Sequence, residues 1–264
     1  MSDLIHVILL GIIEGITEFL PISSTGHLLI AEKFGLGERS DLFNVGIQAG
    51  AILAVTFIYW KRIWQLITQL GDHQNRDYLL KLIVAFLITA TLGLIVTHFG
   101  FKLPETITPI AWALVIGGFW MIAAEQISTR QTDRKQVTWP VAVLVGMAQM
   151  VAGVFPGTSR SGATIFTAML AGTSNRAAAT EFAFLVGIPT MYAATGYELL
   201  KVFKHGEAAH EDWTALGVGF LVSAIVAFIS VKWLLGYIRS HRFTAFAIYR
   251  IVLGVALLLF MRGA

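Results

Sequence analysis

Six apolar segments, at roughly 43 to 60, 78 to 98, 107 to 126, 181 to 200, 215 to 236 and 244 to 261, dominate the chain. Each is close to the about 20 helical residues that cross a hydrocarbon core of about 30 Å. A soluble domain carries about 25% charged residues; here the figure is 13%, with 56% hydrophobic side chains and a mean hydropathy of +0.73. Such a chain cannot hide its apolar surface from water, so it is expected to be an all-α polytopic membrane protein. The pI of 9.2 and net charge of +3 do not indicate nucleic acid, because no basic run exceeds three residues and Lys and Arg fall between the apolar segments. The absence of cysteine excludes disulfides and thiolate metal sites. With Asp3, no basic leader and no cleavage motif, the N-terminus reads as mature protein.

Two further apolar stretches are too short to cross and are broken by proline. In GIIEGITEFLPISSTGH, residues 11 to 27, the helix is expected to stop at Pro21 and a second short helix to run from about His27 to Phe34. The stretch GMAQMVAGVFPGTSRSGAT, residues 146 to 164, repeats it 135 positions on, matching Gly11 with Gly146, Glu14 with Gln149, Pro21 with Pro156 and Ser24 with Ser159. FNVGI (43 to 47) is answered by FLVGI (184 to 188). The chain therefore reads as one membrane domain of two repeats, about 1 to 127 and about 139 to 264, each a re-entrant helix hairpin plus three transmembrane helices. Three crossings per unit is an odd number, so the repeats must be inverted relative to each other. Irregular backbone at membrane depth needs burial in protein, which two converging hairpin tips would supply.

Lys and Arg set the orientation. Loops 61 to 77, 127 to 138, 173 to 180 and 237 to 243 hold nine, whereas 28 to 42, 99 to 106, 201 to 214 and Arg262 hold six. The bias puts the first group in the cytoplasm and both termini outside. Trp60, Trp64, Trp112 and Trp120 lie near segment ends, as an interfacial aromatic belt requires.

The polar residues of the two hairpins carry the chemistry. Glu14 and Glu18, four apart, stack on one helix face, and an acid at membrane depth costs about 2.5 to 3.5 kcal/mol unless something uses it. Paired carboxylates suit a hard divalent cation, Mg²⁺ or Ca²⁺, that shares phosphate oxygens. In PGTSRSGAT, Ser159, Arg160, Ser161 and Thr164 sit where a new helix starts, a combination of hydroxyls, guanidinium and free amides that holds phosphate. Ser23, Ser24 and Thr25 supply a second set of hydroxyls, each equally suited to helix capping. Ser24 and His27, three apart, share a helix face on which a proton could pass. His6, His73, His98, His205, His210 and His241 are assigned no role, and Arg250, Glu181 and Gln48 are as readily structural as functional. A Walker loop, HExxH and the G-x-S-x-G elbow are absent.

EGITEFLPISSTGH (14 to 27), PGTSRSGAT (156 to 164), EFAFLVGIP (181 to 189) and FAIYR (246 to 250) together resemble the bacterial undecaprenyl-pyrophosphate phosphatases, the bacitracin-resistance proteins, over essentially the whole chain. The resemblance implies hydrolysis of a polyprenyl pyrophosphate lipid to the monophosphate in the bacterial cytoplasmic (inner) membrane, recycling the carrier for peptidoglycan and other cell-wall polymers. It implies Glu14 and Glu18 as the metal carboxylates, Ser24 as nucleophile with His27 close by, and Ser159, Arg160 and Thr164 as phosphate ligands. Type 2 phosphatidic acid phosphatases share an SR-containing motif but continue it to a histidine nucleophile; here that position is Phe166.

On this reading Arg160, Ser159, Ser161 and Thr164 hold the terminal phosphoryl group, with Ser23 and Thr25 as further phosphate contacts. Ser24 attacks and His27 or Glu18 takes its proton. The partners are the lipid and the bilayer, with no nucleic acid, and a homodimer is compatible with the plan. The alternative is a lipid-phosphate flippase or transporter, which needs the arginine and the amide dipoles but no nucleophile.

Overall fold

A computed structural model describes residues 2–99 and 106–260. Lys102 and Arg262, two of the residues counted for orientation, lie outside them.

Helices form wherever the apolar segments stood, and polar residues set their starts. The first hairpin is α1 (Ser2–Thr17) and α2 (Ser24–Ala31), closed by a π-helical turn at Glu32–Leu36. The long helices α3 (Asp41–Ile58), α5 (His73–His98) and α6 (Ile107–Ser128) follow, with the short α4 (Trp60–Thr68) between α3 and α5. The second hairpin is α7 (Trp139–Val154) and α8 (Arg160–Leu170), and α9 (Arg176–Lys204), α10 (Trp213–Tyr237) and α11 (Thr244–Phe260) complete the chain. Ser40 accepts from the Phe43 amide at 3.1 Å, Asp72 from Gln74 at 3.1 Å, Asn175 from Ala178 at 3.0 Å and Asp212 from Ala215 at 2.9 Å, so four long helices begin on a side-chain cap.

Five of the expected crossings, α3, α5, α6, α9 and α10, are long and apolar enough to span a bilayer. The sixth, α11, has 17 residues and falls just short of a full crossing's usual length. The second helix of the first hairpin begins at Ser24 rather than near His27, because Ser23 caps it. The expected loop after residue 60 is instead partly helical. In α4, Trp60 and Trp64 stack at 6.0 Å and are exposed, the arrangement of a helix lying along an interface. Exposed Leu87, Leu94, Phe119, Ile225, Ile229 and Leu259 make the flanks of the bundle apolar, as contact with lipid requires.

The helices pair across the two halves. Helix α1 packs on α10 and α7 packs on α5; α3 packs on α10 and α9 on α5; α6 meets α11 and α3 meets α9. Exchanging the halves maps this pattern onto itself. Small residues permit the closest approaches: a Cβ on Gly15 would lie 2.7 Å from the Ser223 carbonyl oxygen, and one on Gly146 would lie 2.6 Å from that of Ala85. Each hairpin's first helix is thereby pressed backbone to backbone against a long helix of the other half, and both tips end inside the protein.

Candidate active site

Each hairpin turns through a serine with positive φ, Ser23 at 76° and Ser159 at 69°; among the described residues they are the only such residues besides glycine. The strain is of order 1–3 kcal/mol and persists only where the surroundings enforce it, commonly at functional sites. Here the hydroxyl helps to enforce it. Ser23 accepts from the Gly26 amide at 3.3 Å and Ser159 from Gly162 at 3.2 Å, so each serine caps the helix that follows.

These matching caps correct the alignment of the repeats. Ser159 corresponds to Ser23, not to Ser24, and the helix-opening Arg160 corresponds to Ser24. Pro21 and Ser23 are separated by Ile22 alone, whereas Pro156 and Ser159 are separated by Gly157 and Thr158. The inserted turn uses Gly157 at φ 94°, where a Cβ would also stand 2.8 Å from the Ile110 carbonyl oxygen.

Ser24 and Arg160, in equivalent places, converge on one carboxylate. Glu18, buried at the end of α1, accepts the Ser24 hydroxyl on Oε2 and pairs through Oε1 with Nη2 of Arg160. A nucleophile candidate, a base and a guanidinium are thus joined through two oxygens of a single side chain.

Glu14 lies one helical turn earlier, linked through the Glu18 amide, which donates to its carbonyl at 2.9 Å. Its side chain is 0% exposed, yet neither carboxylate oxygen has a hydrogen-bond partner within the protein. The other half shows a partly satisfied counterpart, Gln149, whose amide nitrogen is engaged while its Oε1 has no partner. Gln149 donates through Nε2 to Thr89 at 3.1 Å and to Thr190 at 3.4 Å. Gly11 packs on Gly219 and Val222 as Gly146 packs on Ala85 and Ile88, so Ser223 is the counterpart of Thr89; its buried hydroxyl is also unpartnered. Bare buried carboxylate oxygens are chemically apt for a cation. No group of three or more His, Cys, Asp or Glu among the described residues forms a closed metal cage. That donor set still fits Mg²⁺, which is commonly held by one or two carboxylates with water and substrate phosphate completing its shell.

His27 is not brought to Ser24. Its Nδ1 donates to the Ser23 carbonyl at 2.7 Å, which leaves Nε2 to accept from the Tyr249 hydroxyl at 2.7 Å, and the two rings stack at 5.7 Å. Ser24, as the first residue of α2, points back over the loop to Glu18, whereas His27 faces α11. Ser161 donates to the Leu20 carbonyl at 3.0 Å and so ties one hairpin to the other, while Thr164 donates to the Arg160 carbonyl at 2.8 Å. Both hydroxyls spend their proton on backbone and keep only acceptor capacity. Thr25 is exposed on the first turn of α2. Glu181 joins Arg62 at 3.2 Å rather than any of these residues.

Three further residues have partners that sequence spacing does not show. Tyr249 and Arg250 sit together in FAIYR, but their partners, a histidine and loop carbonyls, leave no trace in spacing. Buried Glu125 accepts from Arg176 at 2.9 Å, the Phe243 amide at 3.1 Å and Thr244 at 3.2 Å, fastening α6, α9 and the start of α11.

The family model described as "Bacitracin resistance protein BacA" matches residues 7–256, which include both hairpin loops and Tyr249–Arg250. The chain belongs to this family. Similar proteins include one named undecaprenyl-diphosphatase from Rhizobium etli (strain CIAT 652), 73% identical over 97% of this chain and 96% of the relative. Another of that name, from Xanthomonas euvesicatoria pv. vesicatoria (strain 85-10), is 60% identical over 100% of this chain and 99% of the relative.

Proposed function

We propose that the chain is a multi-pass membrane phosphatase that hydrolyses undecaprenyl pyrophosphate to undecaprenyl phosphate and inorganic phosphate, recycling the carrier lipid and thereby conferring bacitracin resistance. The observation that carries this reading is the sharing of Glu18 between the Ser24 hydroxyl and the Arg160 guanidinium. The names of its relatives support the substrate.

Substrate phosphate would take Arg160 from Glu18, since guanidinium and phosphate form a charge-assisted, bidentate pair. Glu18 is then free to accept the Ser24 proton as its oxygen attacks the terminal phosphorus. The bond to the bridging oxygen breaks, and lipid monophosphate leaves. Water next displaces the phosphoryl group from Ser24, which recovers its proton. Arg160 and the α8 amides stabilise the charge spread over the equatorial oxygens. His27, with Nε2 as acceptor, is oriented by Ser23 and Tyr249. A divalent cation, Mg²⁺ or Ca²⁺, would be held by Glu14 and Glu18 and would neutralise phosphate charge when bound. All of these residues come from one copy of the chain.

The protein would reside in the bacterial cytoplasmic membrane with both termini outside, following the basic-residue bias. The reading is tested by phosphate release from purified protein given the C55 lipid pyrophosphate, with and without EDTA. Release that EDTA suppresses is expected. A protein that moves lipid phosphate between leaflets of a vesicle but releases none would instead be a flippase.

A further inference from the structure

Arg250 is the largest fully buried side chain in the described structure, 1% exposed in the middle of α11, and its charged head meets no carboxylate. A buried cation is expensive unless hydrogen bonds replace its hydration. Both Nη atoms of Arg250 find them on backbone carbonyls, while its buried Nε has no partner. Nη1 donates to Pro21 at 3.2 Å and to Thr158 at 3.0 Å, and Nη2 donates to Gly157 at 2.9 Å and to Ala113 at 3.1 Å. Pro21 belongs to the loop of the first hairpin, Gly157 and Thr158 to the loop of the second, and Ala113 to α6.

The three loop carbonyls lie where a hairpin has left its first helix and not begun its second, so no helical amide reaches them. One planar guanidinium therefore holds two irregular loops to one pair of packed helices, α6 and α11. Its location matters for chemistry. Pro21 precedes Ser24 by three residues, and Thr158 precedes Arg160 by two. A Cβ on Gly162, the residue whose amide Ser159 caps, would stand 3.4 Å from Nη1 of Arg250.

We propose that Arg250 is a positioning residue for the phosphatase reaction: it fixes the two hairpin loops at the separation that lets Ser24 and Arg160 address the same phosphoryl group. This rests on the reading of the chain as a phosphatase. A misplacement of about 1 Å between catalytic groups can cost about 10²-fold in rate. The role requires the fork and not merely the charge, because an ammonium has three donors and cannot serve all four carbonyls.

The test uses full-length protein in detergent micelles with the C55 lipid pyrophosphate as substrate. Arg250→Lys keeps the charge and removes the fork. Gly117→Ala keeps the arginine but puts a methyl group 2.2 Å from its Nη2, so it displaces the guanidinium without changing the sequence of either hairpin. Both variants are expected to lose about tenfold to 10²-fold in kcat with KM within about threefold of wild type, in protein that elutes and melts as a folded species. A folded Arg250→Lys or Gly117→Ala with wild-type kcat overturns the proposal. So does activity that falls only in proportion to the folded fraction, since that is the signature of a purely structural residue. If Arg250→Lys does not fold, Gly117→Ala alone decides. Failure of the phosphatase reading is separate: wild type itself would then release no phosphate.

Discussion

At Glu18 two hydrogen-bonding demands meet on one carboxylate, and that makes its replacement informative. Glu18→Gln retains the shape and an acceptor oxygen for Ser24, but loses the base and leaves Arg160 without its counter-charge. It is expected to reduce phosphate release by at least about 10²-fold, with Ser24→Ala equally inactive yet still binding lipid pyrophosphate. Normal turnover by Ser24→Ala would make water the nucleophile. Glu14 behaves differently because the protein leaves its oxygens bare. In Glu14→Gln the amide can donate toward Ser223 as Gln149 does toward Thr89, a gain of about 1 kcal/mol that should raise the melting temperature by about 2 °C or more. The same variant is expected to lose activity and need more divalent cation. A lower melting temperature together with an unchanged metal requirement would show that the carboxylate serves the fold. That these acids are buried was legible in the sequence, since their apolar neighbours offer no solvated face. Which serine stands beside which acid was not, because Ser23 and Ser24 are adjacent and only the backbone decides which one caps.

At the scale of the hairpin, proline and shortness announced a re-entrant element, and both hairpins are present. The one-residue insertion escaped the sequence because a gapless offset matches Pro21 with Pro156 and then also finds a serine at 24 to set against Ser159. Positive φ resolves that ambiguity, and it makes a prediction. At Ser159 alanine loses the cap and keeps the strain, whereas glycine loses the cap but accepts φ 69° without cost. Loss of a cap to alanine costs about 0.5–2 kcal/mol and loss to glycine only a few tenths. Thermal melts in detergent should therefore rank Ser159 above Ser159→Gly and Ser159→Gly above Ser159→Ala, with the same order at Ser23. Alanine variants as stable as glycine ones would mean that the turns relax out of the left-handed region.

For the whole molecule, the six apolar segments match the long helices to within five residues at each end, because length and hydropathy alone decide what lipid accepts. What they could not give is how the halves interlock, since packing of α1 on α10 and α7 on α5 depends on glycines whose role appears only when backbones meet. The exchange of contacts between halves is what an inverted repeat would produce, and membrane sidedness tests it. Between the first hairpin and the second stand three long helices, α3, α5 and α6. If all three cross, the chain leaves the first hairpin on one side of the membrane and enters the second from the other. The native chain has no cysteine, so a single introduced thiol reports its side without background. Glu38, exposed just after the first hairpin, and Gln131, exposed just before the second, are suitable places. In intact cells Glu38→Cys is expected to react with a membrane-impermeant maleimide and Gln131→Cys to react only after permeabilisation. Reaction of both in intact cells, or of neither, would mean an even number of crossings and would remove the inversion. The opposite pattern would keep the inversion and reverse the orientation that the basic residues indicate.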